Sequence, residues 1–356
     1  MKDLFTRSAA NPIITPDSSG WWKIYNPGAA LDGQGAVHLF PRAVKKEADW
    51  HSRILHAVSR DGVRFELDKE PVFERIGESE LRGLEDPRVT FLDGIYHIVF
   101  AAYDGARVLL HSATAPALEG PWQRRGAMLP DFDFFKNGGK MVEWKDGKPV
   151  AKTHTKSGSV WNKSGALFPE KIGGKPTLIF GEYHMWLAGS DDGFRYEADP
   201  TPILTPRTGT RYFDNTFIEM GPPPMLTDKG WLVLYHGIDE AFRYQLGFVI
   251  LDRHDVRKVL YRTDEPIFGP KEPYEMGDAL IDVIKGGITA MSAMDDEQLK
   301  EFYKTARNEN VMPQVTFCPG AVVKDEMLWL YYGAGDTSIC MAHAPLQKLL
   351  DMVPAV

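Results

Sequence analysis

Cysteine is scarce in this chain: 356 residues contain two, Cys318 and Cys340. Two cysteines so far apart make neither a C-x-x-C metal site nor a disulfide framework, and two small buried hydrophobes is the plain reading. Positive charge is also short, with 41 Lys and Arg against 49 Asp and Glu, a formal net charge of −8. Nucleic-acid backbones and anionic membrane surfaces require a basic face, so neither is expected as a partner. No apolar run reaches the roughly 18 residues of a membrane span. The start, MKDLFTRSAANPII, lacks the apolar stretch of a secretory signal. A soluble cytoplasmic protein is the expectation. No cluster of His, Cys, Asp or Glu at metal-ligand spacing is visible, so no metal or other cofactor is expected.

Turn formers and aromatics are plentiful: 33 Gly, 25 Pro and 12% aromatic residues. That mixture suits many short strands better than a helical bundle. A short element, Pro followed by apolar residues, recurs at Asn11-Pro12-Ile13-Ile14, Glu70-Pro71-Val72-Phe73, Thr201-Pro202-Ile203-Leu204 and Glu265-Pro266-Ile267-Phe268. The second gap is about twice the others, which places a degenerate copy at Met128-Leu129-Pro130 and makes five units. Ala57-Val58-Ser59-Arg60-Asp61-Gly62 matches Ala188-Gly189-Ser190-Asp191-Asp192-Gly193, each a strand running into an Asp-Gly turn. Ser112-Ala113-Thr114 followed by Glu119-Gly120-Pro121-Trp122 is a weaker third copy. Hairpins with one buried face are expected around Asp93-Gly94, Thr227–Gly230 and Lys324–Glu326. Five units of about four strands predict an all-β, five-bladed β-propeller filling 1–356 as a single domain. Two β-sandwich domains are the alternative, but they offer no reason for the Pro spacing.

One stretch departs from strand character. Leu299, Phe302, Tyr303 and Ala306 fall on one helical face, in a segment with acidic residues first and Lys300 and Lys304 later. They predict a short helix near 295–307, inside an insertion at about 277–313 that would rim the site or contact a partner subunit in a homo-oligomer.

Propellers gather function at one end of the central channel, so polar residues within apolar strands are the candidates. Arg82-Gly83-Leu84-Glu85-Asp86-Pro87-Arg88 holds two carboxylates between arginines. It is either an ion network locking blades or a carboxylate tuned by its neighbours for acid chemistry. Asn26 precedes a Pro-Gly turn, Arg42 ends a strand, and Glu219 stands just before Gly221-Pro222-Pro223-Pro224.

Asn-Pro-Gly-Ala (26–29), Phe-Pro-Arg-Ala (40–43), Gly-Leu-Glu-Asp-Pro-Arg-Val (83–89), Leu-Phe-Pro-Glu-Lys-Ile-Gly-Gly-Lys (167–175), the 221–237 segment ending Tyr-His-Gly, and Leu-Tyr-Tyr-Gly-Ala-Gly-Asp-Thr (330–337) occur in that order. Together they resemble glycoside hydrolase family 130, the β-mannoside phosphorylases and β-1,2-mannosidases, over essentially the whole chain except the insertion. The resemblance implies a five-bladed propeller and inverting cleavage of β-mannosides. By position it implies Asp86 as general acid, with Asn26, Arg42 and Asp336 holding the mannosyl unit. Glu85 and Arg88 would position Asp86. The acid's partner is phosphate in phosphorylases and base-activated water in hydrolases. Here Glu182 stands where phosphorylases usually carry a basic residue, and Glu219 resembles the base of the hydrolytic branch. Carboxylates there repel phosphate, so hydrolysis is the expectation, with Glu219 as base. Lys163 and His236 point the other way, toward a phosphorylase using inorganic phosphate as co-substrate and releasing mannose 1-phosphate. The plain reading of His236 is a satisfied core histidine, and that of Glu182 a partner for Lys152 or Lys163. Trp21, Trp22, Trp50, Tyr103, Tyr183 and Trp186 are candidate stacking faces for pyranose rings, with most of them expected in the core. A non-catalytic glycan-binding propeller is the remaining alternative, and paired carboxylates weigh against it.

Overall fold

The computed structural model describes residues 4–45, 51–145, 148–152, 160–241, 243–276 and 314–354. The insertion at 277–313, its helix and Trp50 lie outside the described residues.

The strands build five blades, each running outward from an inner strand. Blade 1 comprises Lys23–Leu31, Val37–Val44, a third strand broken into Ser52–Ile54 and Ala57–Ser59, and Glu66–Leu67. Blade 2 is Gly83–Leu92, Ile95–Tyr103, Val108–Ala115 and Gln123–Ala127. Blade 3 is Gly165–Leu167, Thr177–Phe180, Trp186–Gly189 and Glu197–Ala198. Blade 4 has an inner strand split into Phe217–Met220 and Met225–Thr227, then Gly230–Ile238, Tyr244–Leu251 and Val259–Arg262. Blade 5 is Thr316–Lys324, Met327–Ala334 and Ser338–Pro345, and its outer strand is Thr6–Arg7 from the other end of the chain. Antiparallel Met141–Lys145 and Lys148–Lys152 form a separate ribbon.

The recurring Pro element has the same structural job in every unit. Its amide donates to the third strand's carbonyl: Ile13 to Ile339, Phe73 to Ile54, Met128 to Leu110, Ile203 to Met185 and Ile267 to Leu246, at 2.8–3.1 Å. The two matching Asp-Gly turns are likewise alike, with Gly62 and Gly193 amides each 2.8 Å from the hydroxyls of Ser59 and Ser190.

The middle strands are buried on both faces rather than on one. All nine residues of Gly230–Ile238 are buried. Side chains alternate across a strand, so Trp231, Val233 and Tyr235 enter the seam with blade 3, while Leu232 and Leu234 enter the seam with blade 5. This is why Trp-Leu-Val-Leu-Tyr reads as an unbroken apolar run. Five such apolar clusters fill the seams 1–2, 2–3, 3–4, 4–5 and 5–1, so the blades close into a ring.

A buried ion pair fastens the closing strand. Arg7 grips Glu275 with two hydrogen bonds of 2.8 Å, and Tyr332 donates to the same carboxylate at 2.7 Å. Glu275 is fully buried and also accepts the Lys271 amide at 2.7 Å. Removing one partner strands a buried charge. Arg7→Met is expected to lower the unfolding free energy by about 3–5 kcal/mol, read from urea denaturation. A loss below about 1 kcal/mol would mean that the closing strand is not held by this pair.

Candidate active site

At one end of the channel the inner strands turn irregular. Register shifts interrupt pairing between Tyr25 and Gly28, between Glu85 and Arg88, and between Phe317 and Gly320. Each spans an X-Pro step: Asn26-Pro27, Asp86-Pro87 and Cys318-Pro319. Proline removes a ladder donor and a bulge re-aims the neighbouring side chain, so the motif turns polar groups toward the axis. Asn26, Asp86, Ser164, Tyr183 and Asp336 all hold positive φ, between 44° and 64°. Such backbone conformations cost energy and cluster at functional sites. The blades also approach closely here. A Cβ on Gly28 would lie 2.7 Å from the Pro87 carbonyl oxygen, and one on Gly333 would lie 2.0 Å from Asn26 Oδ1.

Asp86 is buried, and Asn26 Nδ2 donates to its Oδ1 at 2.9 Å. Arg42 spans both carboxylates, with Nη2 2.7 Å from Glu85 Oε1 and Nη1 3.3 Å from Asp86 Oδ1. Burial pushes the Asp86 carboxyl up, but Arg42, Lys163, Arg88 and the Asn26 hydrogen bond outweigh it, leaving Asp86 below its ordinary value. Arg88 makes its hydrogen bonds to the main chain rather than to the carboxylate. It donates to the Asp86 carbonyl at 2.7 Å, to Met220 O at 2.6 Å and to Gly221 O at 3.2 Å, joining blades 2 and 4.

Lys163 is the central cation. Its Nζ lies 3.9 Å from Glu85, 3.8 Å from Glu182 and 3.8 Å from Glu219. Burial opposes its charge, but these carboxylates and Asp86 outweigh that and hold it well above the ordinary value. Ser164 donates to Glu219 Oε1, Trp161 Nε1 donates to Glu182 Oε1, and a β-bridge joins residues 182 and 219. Burial, outweighing Lys163, raises both carboxyls, Glu182 to about 7. Asp336 is raised by burial too.

Asn26, Arg42, Glu85, Asp86, Lys163, Glu182, Glu219 and Asp336 therefore form one electrostatically linked group around the channel mouth. His236 stands apart. It is fully buried, stacked on Phe317 with centroids 4.2 Å apart, and its Nε2 accepts the Cys318 amide at 2.8 Å. Burial, helped by Arg88, presses it down to about 3, so it is neutral. Tyr183 follows Glu182, and its ring packs edge-on against His184. Trp21 and Trp186 are core residues. Lys152 lies on a strand whose side chains are not described, and Glu182 pairs with Lys163. Sequence reasoning missed Lys23, Tyr25, Trp161, Ser164 and Tyr244, the last a phenol within the field of Glu219, Lys163 and Glu182. Trp161 and Ser164 flank the singled-out Lys163, and Lys23 and Tyr25 sit just before Asn26. Among the described residues no group of three or more His, Cys, Asp or Glu side chains is arranged to hold a metal ion, and no helix is long and apolar enough to cross a membrane.

Residues 18–292 match the family model described as β-1,4-mannooligosaccharide phosphorylase. The 1,2-β-oligomannan phosphorylase of Thermoanaerobacter sp. (strain X514) is 31% identical, over 96% of this chain and 98% of its own length. The β-1,2-mannobiose phosphorylase of Listeria innocua serovar 6a is 28% identical, over 91% of this chain and 77% of its own. The solved Listeria innocua β-1,2-mannobiose phosphorylase complexed with β-1,2-mannobiose superposes with a TM-score of 0.73 at 23% identity, covering 99% of each chain, a likeness of fold. A further solved structure, described as a member of the GH130 mannoside phosphorylases that include hydrolases of β-1,2-mannosidic linkages in Candida mannan, gives a TM-score of 0.69 at 25% identity, over 96% of this chain and 94% of its own.

Glu182 supplies a pH-dependent test. Its folded value lies above the ordinary 4.5, at about 7. The native state then binds the proton more tightly than the unfolded chain does, so stability falls as pH rises between those values. Glu182→Gln should flatten that decline in denaturant titrations from pH 4.5 to 7. An unchanged slope would show that Glu182 titrates normally.

Proposed function

For this chain, which belongs to glycoside hydrolase family 130, described as β-1,4-mannooligosaccharide phosphorylase, we propose inverting cleavage of β-mannosidic bonds in manno-oligosaccharides. The observation that carries it is Asp86, a buried carboxyl fixed by Asn26 and Arg42 and faced from across the mouth by a second group of carboxyls gathered on Lys163. Asp86 is the general acid, protonating the leaving oxygen directly or through a sugar hydroxyl. In the empty site it is ionised. A sugar seated on it strips the remaining water and favours its neutral form, so Asp86 takes up its proton in the loaded site. Asn26, Arg42 and Asp336 hold the glycosyl unit, and Arg88 fixes the main chain that carries Asp86.

The acceptor is phosphate or water. The four curated relatives are named as phosphorylases, so the comparisons back inorganic phosphate better than water. Lys163 is the cation placed to meet it. Glu182 and Glu219, raised by burial, would then serve as protonated hydrogen-bond donors rather than as repelling charges. Three of those relatives are named for β-1,2 linkages and the fourth for β-1,4, which favours β-1,2 bonds as the substrate. Water is the second reading, and two observations favour it: three carboxylates already surround Lys163, and His236 is buried and neutral. There Glu219 takes the proton from water.

The two readings differ in the sign of their pH dependence. Phosphorolysis needs the glutamates protonated, so its rate falls as pH rises through about 7, the Glu182 value. Hydrolysis needs Glu219 ionised, so its rate rises as Glu219 loses its proton. Incubation with β-1,2-mannobiose, with and without phosphate, separates them directly. Mannose 1-phosphate formed only with phosphate establishes phosphorolysis, and mannose released regardless of phosphate establishes hydrolysis. Asp86→Asn should lower kcat/KM by about 10²–10⁴ without changing the melting temperature. Undiminished activity in that variant would refute the acid role.

A further inference from the structure

Lys23 opens the inner strand of blade 1, and its ammonium makes no hydrogen bond or ion pair with any described residue. Asp336, in the turn between Met327–Ala334 and Ser338–Pro345, makes none either. The two are neighbours, because the amide of Ile24 donates to the Thr337 carbonyl at 3.0 Å. Each charge feels the other without an ion pair forming between them. Tyr25 sets the position of Lys23: its ring centre is 5.9 Å from Lys23 Nζ and 5.0 Å from the Arg42 guanidinium. The ring keeps the two cations apart and leaves Arg42 to the Glu85–Asp86 pair. Burial works against both unpaired charges, lowering the lysine and raising the aspartate, and the field of each is the chief relief for the other.

A desolvated charge without a partner costs stability, and two such charges that approach without pairing leave room for a group that serves both. An ammonium donates and a carboxylate accepts. A pair of adjacent hydroxyls meets both at once: one oxygen accepts from Lys23 while the neighbouring O–H donates to Asp336. We propose that Lys23 is a sugar-binding, specificity-determining residue. With Asp336 it clasps an adjacent hydroxyl pair of the glycosyl unit seated against Asp86. This rests on the proposed function for the identity of the sugar, a mannosyl unit.

The test is calorimetric titration of D-mannose, which does not depend on cleavage. Lys23→Met and Asp336→Asn are each expected to weaken binding by about tenfold or more, the value of a hydrogen bond to a charged group. The double variant should bind almost as well as the weaker single variant, because either change breaks the clasp. One mono-deoxy mannose should bind the wild type about tenfold more weakly yet bind Lys23→Met no worse than mannose does. Melting temperatures of the single variants should stay close to the wild type, since each loses one desolvated charge together with the field that relieved the other. Lys23→Met binding mannose like the wild type, full additivity in the double variant, or absence of mannose binding by the wild type would each overturn the clasp. Wild type that binds mannose but cleaves no β-mannoside would end the proposed function and leave the clasp standing.

Discussion

The guanidinium of Arg88 is the tie on which the site depends. It is almost wholly buried, and its three donors reach main-chain carbonyls of Asp86, Met220 and Gly221. Seams between neighbouring blades are apolar and non-directional, so they set spacing but not the angle of a carboxylate. Directional bonds from one planar fork supply that angle. They fix Asp86 from blade 2 relative to the strand of blade 4 that carries Glu219. The same cation lowers the electrostatic cost of gathering Asp86 and Glu219 nearby, and it adds to the burial that keeps His236 neutral.

Charge is distributed unevenly around this tie. Arg42 serves the Glu85–Asp86 side, and Lys163 serves the side of Glu182 and Glu219. Asp86 is pulled down while the two glutamates are raised, so protons in the empty site rest opposite the acid. Carboxyls in one pocket with different affinities for protons are how a site assigns acid and base roles. The acceptor that enters beside Lys163 thus meets Glu182, whose carboxyl burial raises to about 7.

Much of the fold was legible because the repeat carries its own punctuation. The Pro elements mark one hydrogen bond made five times over, and the Asp-Gly turns mark the third-to-fourth strand step. Asp86, Arg42, Asn26 and Glu219 stood out as polar residues in apolar strands beside Pro or Gly. The strand Thr6–Arg7 was not legible, since two residues have no periodicity and their partner lies at the far end of the chain. Lys23, Tyr25 and Tyr244 were missed because a lysine or tyrosine in a strand reads as surface or core until burial and field are known. His236 looked like a phosphate ligand by position, but whether its ring faces the channel or the wall is set by the pleat, and one step of register decides it.

The pairing of Thr6–Arg7 with Ser338–Pro345 has a consequence for how the molecule is made. The ribosome delivers the outer strand of blade 5 first and its neighbours last. Until then the nascent chain holds a strand with no sheet to join, and blade 1 lacks the apolar wall that Val322, Tyr331 and Ile339 provide. The ring cannot be sealed blade by blade. It closes only when Ser338–Pro345 meets Thr6–Arg7, a pairing of segments far apart in sequence that loop-closure entropy makes slow. Until that pairing forms, the seam between blades 5 and 1 stays open and its apolar side chains face water.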